Sequence, residues 1–185
     1  MQIGIDEVGR GCWAGPLLVV AARSHGDLPA GLADSKVLSK KKREALFIIL
    51  PEVCDFGEGW VEPAEIDQLG LTEAMRLGVE RALKNLGGSI DEEIIMDGLI
   101  NYCGPEFTSV QCIARADASH PIVSAASVYA KVLRDQKMTE LALQHPDYGF
   151  DKHVGYGTKV HMDAIKQFGV TPLHRLSYKP LQQFA

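Results

Sequence analysis

Near the start of the chain two adjacent carboxylates, Asp6 and Glu7, follow a short apolar run and precede an arginine set between two glycines, Gly9-Arg10-Gly11. Neighbouring carboxylates suit a divalent cation. Glycines on both sides of Arg10 let the backbone come close to a ligand, and a guanidinium suits phosphate. Two more acids stand in comparable places: Asp97 ends the apolar run Ile94-Ile95-Met96 with Gly98 behind it, and Asp117 lies just ahead of a long helical stretch. Four carboxylates drawn to one point repel unless cations are present, because like charges raise each other's pKa. Hard oxygen ligands fit Mg²⁺ or Mn²⁺. Two such ions ~3.5–4 Å apart can activate a water and stabilise the leaving oxygen of an in-line displacement at phosphorus. Taken singly, each acid is equally a helix cap or a surface strand end, and Asp117 alone reads as a cap.

The elements that must position these acids follow from the hydrophobic pattern. Residues 2–6 form a strand with Ile3 and Ile5 on one face. Strict alternation puts Asp6 and Glu7 on opposite faces, so a shared metal requires the strand to end, twist or bulge there. Residues 17–22 are continuously apolar, as in a strand buried on both faces, and the short connection favours an antiparallel pair with the first strand. Ser39 is placed to cap a helix that Pro51 closes. Residues 53–61 give a third strand, weakened by two glycines, and Pro63 fits a first helical turn. Leu71, Met75, Val79, Ala82, Leu83 and Leu86 form a helical stripe ended by Gly87-Gly88, which reads as core packing. Strands follow at 93–97 and 107–114, then a helix from about 122 to 144 whose first turns carry the small residues Ser124-Ala125-Ala126-Ser127. A glycine-rich aromatic loop over 146–158 leads to a last helix capped by Thr158 and ended by Gly169. The pattern is a mixed α/β domain with a helical C-terminal extension.

With 185 residues the chain is long enough for one substantial domain. It has no run near the ~18 apolar residues of a membrane helix. With a first strand from residue 2 no signal peptide is expected, and Cys12, Cys54, Cys103 and Cys112 show no CxxC spacing. A reduced, cytoplasmic protein is expected. The net charge of −5 is not the footprint of a general nucleic-acid binder, yet Lys40-Lys41-Lys42-Arg43 and the C-terminal fifth are locally basic. The lysine run alone is equally a solvated helix face.

Beyond these spacings, the opening Asp6-Glu7-Val8-Gly9-Arg10-Gly11 with Ala14-Gly15-Pro16 resembles the signature of ribonuclease HII, the type 2 ribonuclease H family. The likeness continues in register: Asp34-Ser35-Lys36, Ile66-Asp67 with Ala74-Met75, Asp97-Gly98, Asp117, Ser124 to Ser127, and Ala130-Lys131-Val132-Leu133-Arg134-Asp135. Gly155-Tyr156-Gly157-Thr158 with His161, then His174-Arg175-Leu176-Ser177, completes it.

The resemblance implies an RNase H-like fold: a central mixed five-stranded sheet flanked by helices. A single catalytic domain would span 1–185, with a core over about 1–145 and a substrate-binding extension over about 146–185. It implies an endonuclease that degrades RNA in RNA–DNA hybrids and nicks 5′ of ribonucleotides embedded in duplex DNA, leaving 3′-hydroxyl and 5′-phosphate ends. Asp6, Glu7, Asp97 and Asp117 would be the catalytic set holding two Mg²⁺ or Mn²⁺ ions. Gly9, Arg10 and Gly11 would read the 2′-hydroxyl, which separates RNA from DNA. Tyr156 would stack at the RNA–DNA junction, and Ser35 and Lys36 would hold backbone phosphates. His161 and His174 are read as capping or core histidines, and Asp135 as structural. A monomer is expected, with no evident sliding-clamp motif in Leu181-Gln182-Gln183-Phe184. A non-cleaving hybrid-binding protein of the same fold is the alternative, as is a catalytic subunit of a larger assembly. Val8 replaces the usual alanine, Gly70 the usual asparagine, and Val154 a common lysine. The second change points to a local helix break, the third to a lost phosphate contact.

Overall fold

The computed structural model describes residues 2–32, 35 and 37–184. Five strands form one sheet: β1 (Gln2–Val8), β2 (Leu17–Ser24), β3 (Cys54–Val61), β4 (Glu93–Asp97) and β5 (Val110–Ile113), in the order β3-β2-β1-β4-β5. β2 is antiparallel to both β1 and β3, whereas β1, β4 and β5 run parallel. The sheet is therefore mixed and five-stranded, as expected.

Helices cover both faces. α1 (Lys40–Ile49) is capped by Ser39, whose side chain accepts the Lys42 N–H. α2 (Pro63–Leu69) and α3 (Leu71–Leu86) are separated at Gly70, where φ is +76°. The local break anticipated from that glycine is present. α4 (Ala116–Ser119) is a single turn, and α5 (Pro121–Gln144) is the longest element. α6 (Phe150–His153) and α7 (Lys159–Phe168) complete the C-terminal part, with Thr158 accepting the His161 N–H at the start of α7.

Alternation along β2 divides the core. Leu17, Val19 and Ala21 join Ile3 and Ile5 against α3, while Leu18, Val20 and Ala22 pack against α1 and α5. Full burial of each leucine, valine or isoleucine side chain among them contributes ~1.5–3 kcal/mol. The two glycines that weakened the third strand have a packing reason: a Cβ on Gly59 would stand 1.8 Å from the Gly78 carbonyl oxygen of α3. Helix and strand backbones meet there. A third cluster, including Met138 and Leu141 of α5 with Tyr148, Phe150, Ile165 and Leu181, forms the core of the C-terminal part.

Three boundaries differ from the sequence expectation. β1 continues to Val8, because Glu7 and Val8 still pair with Val19 and Leu18 of β2. β5 is shorter than 107–114, since the Phe107 N–H turns back to the Gly104 carbonyl. Asp117 lies inside a helical turn of its own instead of in the lead-in to α5.

Candidate active site

β1 and β4 lie in register with Ile5 beside Met96, so Asp6 and Asp97 emerge next to each other at the carboxyl edge of two parallel strands. Ligands of open α/β sheets bind at that edge. Gly4 keeps this face close to α5: a Cβ there would meet the Ile122 and Val123 backbone at 2.6 Å. Asp6, two residues on, points the same way. It is 6% exposed. Its Oδ1 accepts the Glu7 N–H at 2.8 Å. Burial, then the charge of Glu7, pushes its carboxyl well above the usual range; Asp97 adds to the rise and a hydrogen bond from Ser127 opposes it.

No bulge brings Glu7 round. The register of β1 with β2 is unbroken through Val8, but β4 stops pairing at Ile5. Past that rung both faces of β1 open on one cleft. A cavity of about 190 Å³ is lined there by Asp6, Glu7 and the 8–11 segment, with Ser35, Ser127, Lys131 and Tyr156. Glu7 Oε1 lies 3.7 Å from the Arg10 guanidinium.

Asp97 and Asp117 are not among the residues lining that cavity, yet the chain couples them to it. Asp97 Oδ1 accepts the Ala116 N–H at 2.7 Å, which sets the neighbouring Asp117 beside the end of β4. Asp117 is buried in α4, and Arg115 enters that turn with a left-handed backbone, φ +59°. Ser124 Oγ donates to the Asp117 carbonyl at 2.6 Å, tying the turn to α5. Thus Asp6, Glu7 and Asp97 interact electrostatically, and Asp117 sits one residue from the amide that holds Asp97.

The glycines flanking Arg10 differ in purpose. Gly9 has φ +87°, and a Cβ on it would stand 2.2 Å from Arg134 Nε, so its bareness is required by the protein's own interior. A Cβ on Gly11 would meet nothing within 4 Å. Only at Gly11 does an open side leave room for a ligand. Arg10 is half-exposed; besides Glu7 it reaches Tyr102, donating to the hydroxyl at 3.3 Å. The Ser35 and Ser127 hydroxyls lie 3.0 Å apart, so with Ser127 donating to Asp6 its oxygen accepts from Ser35, and Arg43 of α1 donates to the Ser35 carbonyl at 2.9 Å. Lys36 lies outside the described residues. Tyr156 stands partly exposed at the cleft on its glycine-flanked loop.

Sequence reasoning valued Ser127 only for its size and gave Lys131 no role. Both line the cleft, Ser127 bonding to Asp6 and Lys131 held by Asp135 at 2.7 Å. Their i,i+4 spacing on α5 was the available signal, because it places both on one helix face. His161 and His174 are buried, as read. Their partners fix the tautomers: His161 Nδ1 must donate to the Tyr156 carbonyl, and His174 Nδ1 must accept the Thr171 N–H. The 3.1 Å contact between the two Nε2 atoms is then a donation from His174 to His161. Burial pulls both imidazoles down to about 4, which keeps them neutral.

The donor set fits a hard dication. Asp6 is buried beside two like charges, and all four acids offer oxygen ligands of the kind Mg²⁺ and Mn²⁺ take. Asp6 and Asp97 each turn an oxygen to a backbone amide, and among the described residues no group of three or more His, Cys, Asp or Glu side chains is closed around one point. Among them, too, no helix is long and apolar enough to cross a membrane.

Comparison with known proteins agrees with this architecture. The family model for ribonuclease HII matches residues 3–181. A ribonuclease HII of Coxiella burnetii is 42% identical over 183 residues, 97% of this chain and 89% of that one. One from Streptomyces avermitilis is 45% identical over 177 residues, covering 95% and 75%. The ribonuclease HII of Archaeoglobus fulgidus, solved in complex with PCNA, superposes with a TM-score of 0.81 at 26% identity over 97% of this chain and 95% of that one.

Proposed function

The chain belongs to the ribonuclease HII family, ribonuclease H endonucleases, and we propose that it cuts RNA within RNA–DNA hybrids and nicks duplex DNA 5′ of an embedded ribonucleotide. The observation that carries this reading is the pair of adjacent strand ends that sets Asp6 beside Asp97, with Glu7 close enough to raise the Asp6 carboxyl. Charge gathered and buried in this way is costly without a cation, and it serves phosphoryl chemistry with one.

In this reading Asp6, Glu7, Asp97 and Asp117 would hold two Mg²⁺ or Mn²⁺ ions, and such ions would supply activation of a water and charge neutralisation at the leaving oxygen, consistent with 3′-hydroxyl and 5′-phosphate ends. Ser127 and the Glu7 amide steady Asp6, and the Ala116 amide steady Asp97. The segment Gly9-Arg10-Gly11 meets the ribose and its 2′-hydroxyl through the backbone, with the open side of Gly11 facing the nucleic acid. Tyr156 stacks at the RNA–DNA junction, and Ser35 with Lys36 holds phosphates. Residues 146–185 act as the substrate-binding extension of a core over 1–145. Four free cysteines accord with a reducing, cytoplasmic setting.

Asp6→Asn and Asp97→Asn, assayed on a duplex with one ribonucleotide in Mg²⁺, should each lose cleavage while staying folded. Full activity in either variant refutes the assignment.

A further inference from the structure

Arg134 and Arg175 are both 0% exposed. Burying a guanidinium is costly, and a carboxylate is its usual partner. Among the described residues neither arginine has one; both are satisfied by backbone carbonyls. Arg134 donates to Pro16 O at 2.8 Å, Val154 O at 2.9 Å and Ala14 O at 3.3 Å. Arg175 donates to Gly15 O at 3.1 and 2.8 Å, to Gly9 O at 2.7 Å, to Arg10 O at 3.2 Å and to the Tyr178 hydroxyl at 3.0 Å. Tyr178 in turn donates to Arg10 O at 2.6 Å. Two buried cations thus collect the carbonyls of the 9–16 segment on its inner side.

We infer that Arg175, with Arg134 beneath Gly9 and Tyr178 beside it, is a positioning residue that turns the amide N–H groups of Arg10 and Gly11 toward the nucleic acid. A trans peptide points its C=O and the following N–H in opposite directions. With Gly9 O drawn inward by Arg175, the Arg10 N–H faces outward. With Arg10 O held by Arg175 and Tyr178, the Gly11 N–H does the same. Two successive N–H groups on one side make a concavity that receives an oxygen ligand. It opens on the cleft that Asp6, Glu7 and Tyr156 share. Lysine cannot substitute, since one ammonium does not offer the planar fork that spans three carbonyls. The segment's reading of ribose is thereby set from below by residues that never touch substrate.

This inference rests on the proposed reading of Gly9-Arg10-Gly11 as the ribose sensor, and its test separates the two. Metal-free protein, which cuts no strand, is titrated by fluorescence anisotropy against a DNA duplex with one ribonucleotide and against the matched all-DNA duplex. Arg175→Lys should lose about tenfold of the wild-type preference for the ribonucleotide, as for a misaligned hydrogen bond, with affinity for all-DNA duplex nearly unchanged. Tyr178→Phe removes one hydroxyl from a partly exposed ring and leaves the guanidinium in place, so it tests the same claim should Arg175→Lys not fold. It should lose a smaller part of the same preference. A folded variant of either kind that keeps the full preference overturns the inference. If the wild-type protein itself shows no preference, the ribose-sensor reading fails instead. The positioning claim is then decided by amide NMR resonances of Arg10 and Gly11, which must shift in Tyr178→Phe while that of Ile165 stays; unmoved resonances overturn it.

Discussion

Gly9→Ala and Gly11→Ala make the same chemical change two residues apart, and the structure assigns them opposite consequences. At Gly9 the new methyl group is forced into a left-handed backbone, φ +87°, and stands 2.2 Å from Arg134 Nε and 2.7 Å from Cζ. The left-handed conformation costs ~1–2 kcal/mol for a residue with a Cβ. The guanidinium has no free space to retreat into, since three carbonyls hold it. Losing one such charge-assisted hydrogen bond costs ~1.5–3 kcal/mol. The sum is about 2.5–5 kcal/mol, a large share of the ~5–15 kcal/mol that holds a domain folded. At Gly11 nothing lies within 4 Å of the new methyl, so stability should stay within ~0.5 kcal/mol of the parent. The methyl then occupies the side from which nucleic acid approaches, and cleavage of the single-ribonucleotide duplex should fall at least ~10-fold. Urea denaturation followed by circular dichroism gives the stabilities, and a gel assay gives the cleavage rates. A Gly9→Ala chain as stable as the parent, or a Gly11→Ala chain that cuts normally, would refute the division of roles between the two glycines.

His161 and His174 have folded pKa values of about 4 against ~6.5 for a free imidazole, so the unfolded chain binds protons more readily. Their contribution is full above pH ~6.5 and is lost as pH falls toward 4, about 2 kcal/mol per imidazole by pH 5. Equal urea midpoints at pH 7 and pH 5 would contradict the buried neutral pair. Asp6→Asn removes a buried like charge from beside Glu7 and Asp97, so metal-free stability should rise by ~1 kcal/mol even as cleavage disappears; a fall in stability would show that Asp6 is held by attraction. Lys131→Met should reduce by ~1 the slope of log binding constant against log salt for hybrid duplex, and an unchanged slope would place Lys131 off the phosphate path.

Periodicity alone made most of the fold legible. The twofold and 3.6-fold patterns locate β2, α3 and α5 closely, Ser39 and Thr158 mark helix ends where the structure has them, and the break at Gly70 was read from its departure from the family pattern. What remained hidden depends on contacts between distant segments. β1 runs two residues longer than its apolar pattern because β2 continues to pair with it. The opening of both its faces at Glu7 depends on where β4 stops pairing, a register that no local pattern encodes. Gly9 reads in sequence as a glycine bared for a ligand, whereas Arg134, 125 positions away, is what requires it. Buried arginines bonded to carbonyls leave no trace in charge patterning, so Arg134 and Arg175 look like surface residues until the fold encloses them. The four acids, by contrast, were singled out through the family resemblance, because strand and helix ends alone leave each of them equally a cap or a strand terminus.

Incubating the protein with a DNA duplex that carries one ribonucleotide, in Mg²⁺ and again in EDTA, and mapping the product ends distinguishes a metal-dependent nuclease from a protein that only binds. A single nick 5′ of the ribonucleotide is expected in Mg²⁺, with 3′-hydroxyl and 5′-phosphate ends, and none in EDTA. Retardation of the duplex without any cut in either Mg²⁺ or Mn²⁺, or a cut that persists in EDTA, would contradict it.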